Sequence, residues 1–270
     1  MTQGVASQDS SRDYSTVTEV TGEQVRRDAF EKMNARYAFA AERAAGKDVL
    51  EVACGSGQGL GLLARTARRV VGGDVTDALV QNAMRHYGDR VDVVKFDAQA
   101  LPFEDASFDL LLCYEALYYF ADADRFCTEA ARVLRTGGEL LIVSVNPEWN
   151  GFNPSPYSTH YHTTREFREL LSRHGFDADV RGAFPDAGGG AISRLIGIVR
   201  RVAVSLHLVP TTMRAKRVLK RLFYGRLVSL PPELSPTDSA LPRLAQLGSE
   251  LTVDTSTYTV LYAIGARRVS

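Results

Sequence analysis

Residues 49–59 read Val-Leu-Glu-Val-Ala-Cys-Gly-Ser-Gly-Gln-Gly. The first four form a short apolar run typical of a buried strand, and glycines follow at positions 55, 57 and 59. At the end of a parallel strand, a turn of residues without Cβ atoms lets the backbone approach a ligand closely. The helix that follows such a turn offers unpaired N–H groups to a carboxylate or phosphate. This stretch therefore predicts a strand, a ligand-binding turn and a helix.

Short apolar segments alternate with helical segments around this turn. The sequence predicts strands at 48–52, 69–73, 91–96, 108–113, 139–145, 176–184 and 252–267, and helices at 23–45, 59–68, 76–87, 121–134 and 164–174. Such alternation indicates an α/β fold, a doubly wound parallel sheet with helices on both faces.

The composition narrows the class of protein. The 270 residues are 45% hydrophobic, which is enough to bury a substantial core in one domain. There is no apolar run of about 18 residues and no signal-peptide pattern. The three cysteines are too scattered for a disulfide framework, so we expect reduced thiols in a cytoplasmic protein. No Cys/His cluster has zinc-ligand spacing, and no metal site is expected.

Two acidic residues end the next two predicted strands. Asp74 is placed to accept hydrogen bonds from ribose hydroxyls. Asp97 is placed to accept one from an exocyclic amine, and the small Ala98 beside it leaves room for a flat base. With the glycine turn, both are expected in the crevice at the carboxyl edge of the sheet. The simpler interpretation of each Asp is a helix N-cap.

A nicotinamide dehydrogenase is the main competing interpretation of the turn. Its fingerprint requires Gly-x-Gly-x-x-Gly. Here Leu60 occupies the third glycine position, and the third glycine of the turn falls at Gly59. The dinucleotide interpretation also gives no role to Asp97. We therefore place it second.

Five motifs and their order along the chain resemble those of the class I S-adenosylmethionine-dependent methyltransferases, in particular the type 11 and type 25 methyltransferase families. The motifs are Glu51–Gly57, Asp74, Asp97–Phe103, Ser107–Asp109 and Arg132–Gly138. The resemblance covers residues 25–185 and the final strand. The whole length also resembles methyltransferases of bacterial polysaccharide and natural-product gene clusters. The resemblance implies a Rossmann-like, seven-stranded mixed sheet whose last strand is antiparallel.

The resemblance also implies S-adenosyl-L-methionine as cofactor and a role for each motif. Gly55 and Gly57 line the methionine portion, Asp74 holds the ribose, and Asp97 with Ala98 holds the adenine. Many members have glycine at the position of Ala53. Tyr114 lies near the reactive end of the cofactor. The implied cofactor-binding residues are Glu51, Ala53, Gly55, Gly57, Asp74, Val75, Asp97, Ala98 and Tyr114.

Methyl transfer from a sulfonium is an in-line displacement for which the protein mainly supplies alignment. A hydroxyl acceptor needs a catalytic base, whereas a neutral amine depends less on one. The candidates are Glu115, just past the fourth strand, and His160 and His162, in the loop after the fifth. In the simpler interpretation, Glu115 accepts hydrogen bonds from backbone N–H groups at the start of a helix. The two histidines then lie on a solvent-exposed loop without a catalytic role.

The sequence says less about the methyl acceptor than about the cofactor. Tyr118, Tyr119, Tyr157 and Tyr161 are candidates for an acceptor wall, or for ordinary packing. O-methylation of a small-molecule or saccharide acceptor is the preferred function. The alternatives are N-methylation of an amino sugar or other small amine, and a cofactor-binding protein without catalysis that docks to a membrane or a partner.

The net charge is zero, but it is distributed unevenly. No acidic residue lies between Ala187 and Pro232, where nine Arg and Lys residues stand, so the rest of the chain carries minus nine. We predict a helical insertion at 187–245 with two basic amphipathic helices, 192–206 and 212–227. The basic faces at 191–227 suit the inner face of a membrane, a lipid-linked or nucleotide-linked acceptor, or a lid with its charges in water.

The remaining predictions concern the ends of the chain and its other partners. Residues 1–22 are expected to form a flexible N-terminal segment, and 23–270 the methyltransferase domain. No nucleic-acid partner is expected, because the basic segment has neither aromatic interleaving nor a nucleic-acid-binding motif.

Overall fold

The computed structural model describes residues 13–186, 227–235, 241–247 and 254–268. The described strands are β1 (Gln24–Arg26), β2 (Asp48–Val52), β3 (Arg69–Asp74), β4 (Asp92–Lys95), β5 (Phe108–Tyr114), β6 (Leu134–Val145), β7 (Phe176–Pro185), β8 (Leu227–Ser229), β9 (Ala245–Gln246) and β10 (Tyr258–Arg267). The described helices are α1 (Arg27–Ala44), α2 (Leu60–Ala64), α3 (Asp77–Tyr87), α4 (Ala123–Val133) and α5 (Thr164–Arg173).

The main sheet has the strand order β4-β3-β2-β5-β6-β10-β7-β9. Strands β2 to β6 are parallel to one another, and β10 runs antiparallel between β6 and β7. The predicted doubly wound mixed sheet with an antiparallel last strand is therefore confirmed. Eight strands form it where seven were expected, because the two residues of β9 pair with Arg181 and Gly182 of β7.

The sheet is buried on both faces, as expected for a parallel sheet covered by helices. Along β5, Leu110, Leu112 and Tyr114 pack on the side of α1, α2 and α3. Leu111 and Cys113 pack on the opposite side with α4 and α5. This period of two explains why the strand reads as a continuous apolar run. All three cysteines are buried free thiols.

The largest errors in element boundaries come from contacts between distant segments. The predicted helix from Glu23 begins only at Arg27, because Gln24–Arg26 pairs with β8. For the same reason Leu227, predicted as the end of a helix, begins a strand. The predicted helix at 59–68 is only the five residues of α2. Helix α5 begins at Thr164 as predicted, and Thr163 is its N-cap and forms a capping box with Glu166.

The core of the predicted basic insertion, residues 187–226, lies outside the described residues. The segment 227–235, which follows it, packs on the glycine turn. Leu230 and Leu234 are buried, and the Leu234 N–H donates to the carbonyl of Gln58 at 2.8 Å. Glu233 forms an ion pair with Arg90 and lies within hydrogen-bonding distance of His86 Nε2, both at 3.0 Å. Within the described parts of the chain, none of the helices has the length and apolarity needed to cross a bilayer.

Candidate active site

A cavity of about 480 Å³ runs along the carboxyl edge of the sheet. From β4 to β7 its wall includes Asp97 after β4, Asp74 at the end of β3, Gly55 after β2, Glu115 after β5 and Phe184 in β7. We call the part at Asp74, Asp97 and Ala98 the acidic end. The opposite part is the far end, and its wall contains Lys32, Val145, Phe184, Thr259 and Val260.

The glycine turn has an unusual backbone. Ala53, Gly55 and Gly57 have φ angles of 52°, 58° and 80°. This left-handed region costs an L-residue about 1–2 kcal/mol because its Cβ crowds the following carbonyl. The conformation explains why glycine is common at position 53 in the family that the sequence resembles. Ala53 and Gly55 line the cavity, and Gly57 does not.

Asp74 is buried at the acidic end. Its Oδ2 accepts from the Gly55 N–H at 3.0 Å, and its Oδ1 accepts from the Thr76 N–H at 2.9 Å. Burial raises the pKa of Asp74, although the backbone N–H groups of Thr76 and Gly55 oppose that rise. The Thr76 hydroxyl and the Val75 N–H also hydrogen-bond this carboxylate, which lines the cavity where a ribose hydroxyl would approach it. Val75, the next residue, also lines the cavity.

Asp97 is held in a fixed orientation by Gln99. Its Oδ1 accepts from the Gln99 backbone N–H at 2.9 Å and from Gln99 Nε2 at 3.1 Å. Gln99 is itself anchored, since its Oε1 accepts from the Asp122 N–H at 2.8 Å. The other oxygen, Oδ2, accepts no hydrogen bond from any described residue. With Phe96 and the buried Ala98 beside it, this free acceptor fits a flat base that carries an amino group.

Glu51 lies behind the cavity wall. It is 1% exposed and does not line the cavity, whereas Tyr37, whose hydroxyl donates to Glu51 Oε1 at 2.5 Å, does. Burial raises the pKa of Glu51 to about 7, although the Tyr37 hydrogen bond and the Arg36 charge oppose the rise. Gly59 makes room for Tyr37, because a Cβ at Gly59 would lie 1.8 Å from Tyr37 Cε1. Glu51 thus supports a residue of the wall.

Glu115 lies in the middle of the cavity wall. Its Oε1 is 3.2 Å from Arg36 Nη1, and its Oε2 accepts from the Tyr118 hydroxyl at 3.3 Å. The side chain is 22% exposed, and burial raises the pKa of Glu115 while the charge of Arg36 opposes that rise. Tyr114 also lines the cavity, and its hydroxyl donates to the Arg36 carbonyl at 3.2 Å. A carboxylate with two oriented partners therefore faces the centre of the cavity.

The two candidate histidines lie elsewhere, and neither lines the cavity. His160 is exposed and lies 3.3 Å from Glu166 at the start of α5. His162 packs against Phe167, with ring centroids 5.3 Å apart. Burial, together with His160, lowers the pKa of His162 to about 4, so its ring is neutral near pH 7.

Two of the four candidate tyrosines line the cavity and two do not. Tyr118 and Tyr119 line the cavity. Tyr161 lies behind them, stacked on Tyr118 at 4.3 Å, and Tyr157 is 55% exposed. Only part of the predicted acceptor wall therefore reaches the cavity.

The N-terminal segment contributes wall residues that sequence reasoning missed, since 1–22 was expected to be flexible. Residues 13–22 belong to the described chain, and Tyr14, Val17, Thr18 and Glu19 line the cavity. Gln58 Nε2 donates to the Glu19 carbonyl at 3.0 Å, and the Tyr14 ring packs 5.3 Å from Tyr119. The available signal was Tyr14, an aromatic residue in a polar segment.

Two cations of α1 were also missed. Lys32 and Arg36 are spaced by four residues, so they share one face of the helix, and both line the cavity. The signal was present in the sequence, because this face also carries the apolar Met33 and Tyr37 that pack on the sheet. Charged residues beside a buried helix face indicate a polar cavity.

Comparisons with known proteins indicate the family of this domain. Residues 50–142 match the family model described as a methyltransferase domain. The chain carries a class I S-adenosylmethionine-dependent methyltransferase domain. A relative from Mycolicibacterium smegmatis, named a probable S-adenosylmethionine-dependent methyltransferase, is 36% identical over 166 residues, which are 59% of this chain and 63% of the relative. The expected family and its methyl donor are thereby confirmed.

Two further comparisons extend the methyltransferase match. A fatty-acid O-methyltransferase of Mycolicibacterium smegmatis is 42% identical over 108 residues, 39% of each chain. The matched segments thus span less than two thirds of the length of either relative. The crystal structure of the YcgJ protein of Bacillus subtilis superposes with a TM-score of 0.55 at 18% identity, covering 87% of this chain and 98% of that one. At this sequence identity, the similarity to the YcgJ structure is evidence for the fold alone.

Proposed function

We propose that the protein transfers the methyl group of S-adenosylmethionine to an oxygen of a small acceptor with an apolar body. The observation that carries the proposal is the position of Glu115. Its carboxylate faces the cavity between the acidic end and the far end, where donor and acceptor would meet.

The residues of the acidic end fit the donor. Asp97 offers an unused carboxylate oxygen beside the small Ala98, and Asp74 offers a buried carboxylate that lines the cavity. When bound, S-adenosylmethionine supplies an electrophilic methyl group. With the nucleoside at Asp74 and Asp97, the methionine portion lies along the turn at Gly55, toward Tyr114 and Glu115.

Glu115 is suited to hold the proton of a hydroxyl acceptor. A hydroxyl must lose its proton as the new O–C bond forms, and a positioned base contributes about 10²–10⁴-fold to such a step. The raised pKa makes Glu115 a stronger base than an exposed carboxylate. Arg36 and Tyr118 each bind one of its oxygens and fix its orientation.

The far end supports an acceptor with an apolar body. Its wall contains Val145, Phe184 and Val260, and Trp149 also lines the cavity. The fatty-acid O-methyltransferase relative is named for an apolar acceptor and for methylation on oxygen. Both points favour a lipid-like acceptor over a free saccharide and oxygen over nitrogen.

A peripheral contact with anionic lipid through residues 191–227 remains a proposal that rests on their nine basic residues. It is compatible with a lipid-like acceptor and with a cytoplasmic location. Flotation with vesicles with and without anionic lipid tests it, and equal partitioning into both would contradict it.

The methylation proposal is tested by transfer of radiolabelled methyl from S-adenosylmethionine to long-chain alcohols, fatty acids, amines and sugar nucleotides. We expect transfer to a hydroxyl-bearing amphiphile. Glu115→Gln should lower kcat about 100-fold or more and leave donor affinity nearly unchanged. The matched control is Glu104→Gln, at an exposed position away from the cavity. An unchanged kcat for Glu115→Gln, or transfer only to amines, would contradict O-methylation with this base. Donor binding without any transfer would favour a non-catalytic protein.

A further inference from the structure

The far end of the cavity contains a cation whose charge is not neutralised by an ion pair. Lys32 Nζ donates to Thr259 Oγ1 at 3.0 Å and lies 5.6 Å from the centre of the Phe184 ring. Asp28, Glu115 and Asp186 are the acidic groups that face it, and Arg26 is the other nearby cation. Among the described residues, no carboxylate comes within 4.0 Å of this ammonium.

The position of Lys32 is costly without a partner. Burial lowers its pKa, which means that the surroundings solvate the charge poorly. A half-buried charge is normally paired or hydrogen-bonded to a charged group. Arg36, one helical turn away, is paired with Glu115 through Nη1 while its buried Nε has no partner, whereas no described carboxylate pairs with Lys32.

Tyr262 lies in another part of the cavity wall. Its side chain is fully buried (0% exposed), it belongs to the cavity wall, and its hydroxyl has no partner among the described residues. A buried hydroxyl without a hydrogen bond is energetically unfavourable, because it has lost its hydrogen bonds to water. The ring packs on Phe39 at 5.4 Å and stands in register with Val143 of β6. The hydroxyl is therefore an unused hydrogen-bonding group in the middle of the cavity wall, with Arg36 and Glu115 as its charged neighbours, and it is not part of the far end.

We propose that the methyl acceptor carries an acidic group, bound at the far end by the ammonium of Lys32. This inference rests on the proposed function, since it describes the acceptor of that reaction. The acidic group is a carboxylate or phosphate on an apolar chain. Its binding holds the acceptor oxygen near Glu115, and the apolar chain packs on Val145, Phe184 and Val260.

The inference is tested by binding without catalysis. Trp149 lines the cavity and is the only tryptophan of the 270 residues, so its fluorescence reports occupancy of this cavity. The protein with bound S-adenosylhomocysteine is titrated with octanoate, octyl phosphate, octanol and octylamine. We expect at least one of the two acids to bind about tenfold more tightly than octanol. The acid with the higher affinity identifies the group.

Three variants separate charge from packing. Lys32→Met should remove the preference for acids, and Lys32→Arg should restore most of it. Tyr262→Phe, away from the far end, should leave the preference for acids unchanged. The control is Lys47→Met, because Lys47 precedes β2 at the opposite edge of the sheet. Donor affinity measured by calorimetry should stay within about twofold of wild type for Lys32→Met.

Three results would overturn the inference. They are equal binding of acids and octanol, failure of all four probes to bind, and a Lys32→Met variant that retains the preference. A tenfold loss of donor affinity in Lys32→Met would also overturn it, because Lys32 would then bind the methionine carboxylate of the donor. None of these results depends on methyl transfer, so the inference and the proposed function can fail separately.

Discussion

The Oδ2 atom of Asp74 accepts a hydrogen bond from the backbone N–H of Gly55 at 3.0 Å. This bond joins the end of β3 to the turn that follows β2. The carboxylate predicted to hold the ribose therefore also fixes the loop predicted to hold the methionine portion. A change at Asp74 should affect both the affinity for the donor and the order of the turn.

The first prediction concerns Asp74→Asn. An amide group offers a donor where the carboxylate offered an acceptor, so one of the bonds to the Gly55 and Thr76 N–H groups is lost. We expect donor affinity to fall by about 1–3 kcal/mol, measured by calorimetric titration. Asp77→Asn is the control, since that side chain is 70% exposed and pairs with Lys95. Unchanged affinity in Asp74→Asn would show that the ribose assignment is wrong.

The second prediction concerns the base of the donor. Wild type should bind S-adenosylhomocysteine more tightly than S-inosylhomocysteine, which has an oxo group in place of the amine. Asp97→Ala should reduce this difference, because the free Oδ2 of Asp97 is the proposed acceptor of the amine. Competition binding with both ligands measures it. A preference that survives Asp97→Ala unchanged would place the adenine elsewhere.

The third prediction is a pH dependence of stability. The folded chain holds the proton of Glu51 up to about pH 7, and the unfolded chain releases it near the ordinary pKa of 4.5. Between these values the folded state binds more protons, so the free energy of unfolding falls as pH rises through this window and levels off above it. The fall should be roughly 3 kcal/mol, since each pKa unit corresponds to about 1.4 kcal/mol. Denaturant unfolding of the unliganded protein should show this contribution in wild type and lack it in Glu51→Gln. Identical pH profiles for the two would contradict the burial of an ionisable Glu51.

The fourth prediction concerns Ala53→Gly. The φ of 52° at this position is unfavourable for alanine and free for glycine, so the variant should gain about 1 kcal/mol of stability. Ala38→Gly within α1 should instead lose about 1 kcal/mol, as is usual for glycine in a helix. Urea unfolding of both variants provides the comparison. If Ala53→Gly lost as much stability as Ala38→Gly, the backbone at position 53 would not be in the left-handed region.

Much of the fold could be predicted because its signals are local. Strand β2 has the predicted limits, Asp48–Val52, since the apolar run is bounded by Gly46 and by the turn. The carboxyl ends of parallel strands share an edge, so Asp74 and Asp97 were correctly expected at one crevice. β1 and β9 were missed because short strands exist only through their partners, which come from distant parts of the chain.

The acceptor part of the site was harder to predict for the same reason. The unpartnered hydroxyl of Tyr262 depends on which residues pack around it in the folded chain. His160 was proposed from its place in a loop after a strand. That loop is instead fixed at the start of α5, where His160 lies beside Glu166. The surroundings of Tyr262 and His160 are set by contacts between distant segments, so no short sequence pattern predicts them.

The central claim is that the cavity holds the donor at its acidic end and the acceptor at its far end. A crystal structure with bound S-adenosylhomocysteine tests it most directly. We predict electron density for adenine beside Asp97, for ribose beside Asp74, and for the sulfur on the side of Glu115. A nucleoside bound instead among Lys32, Phe184 and Val260 would contradict this assignment of donor and acceptor.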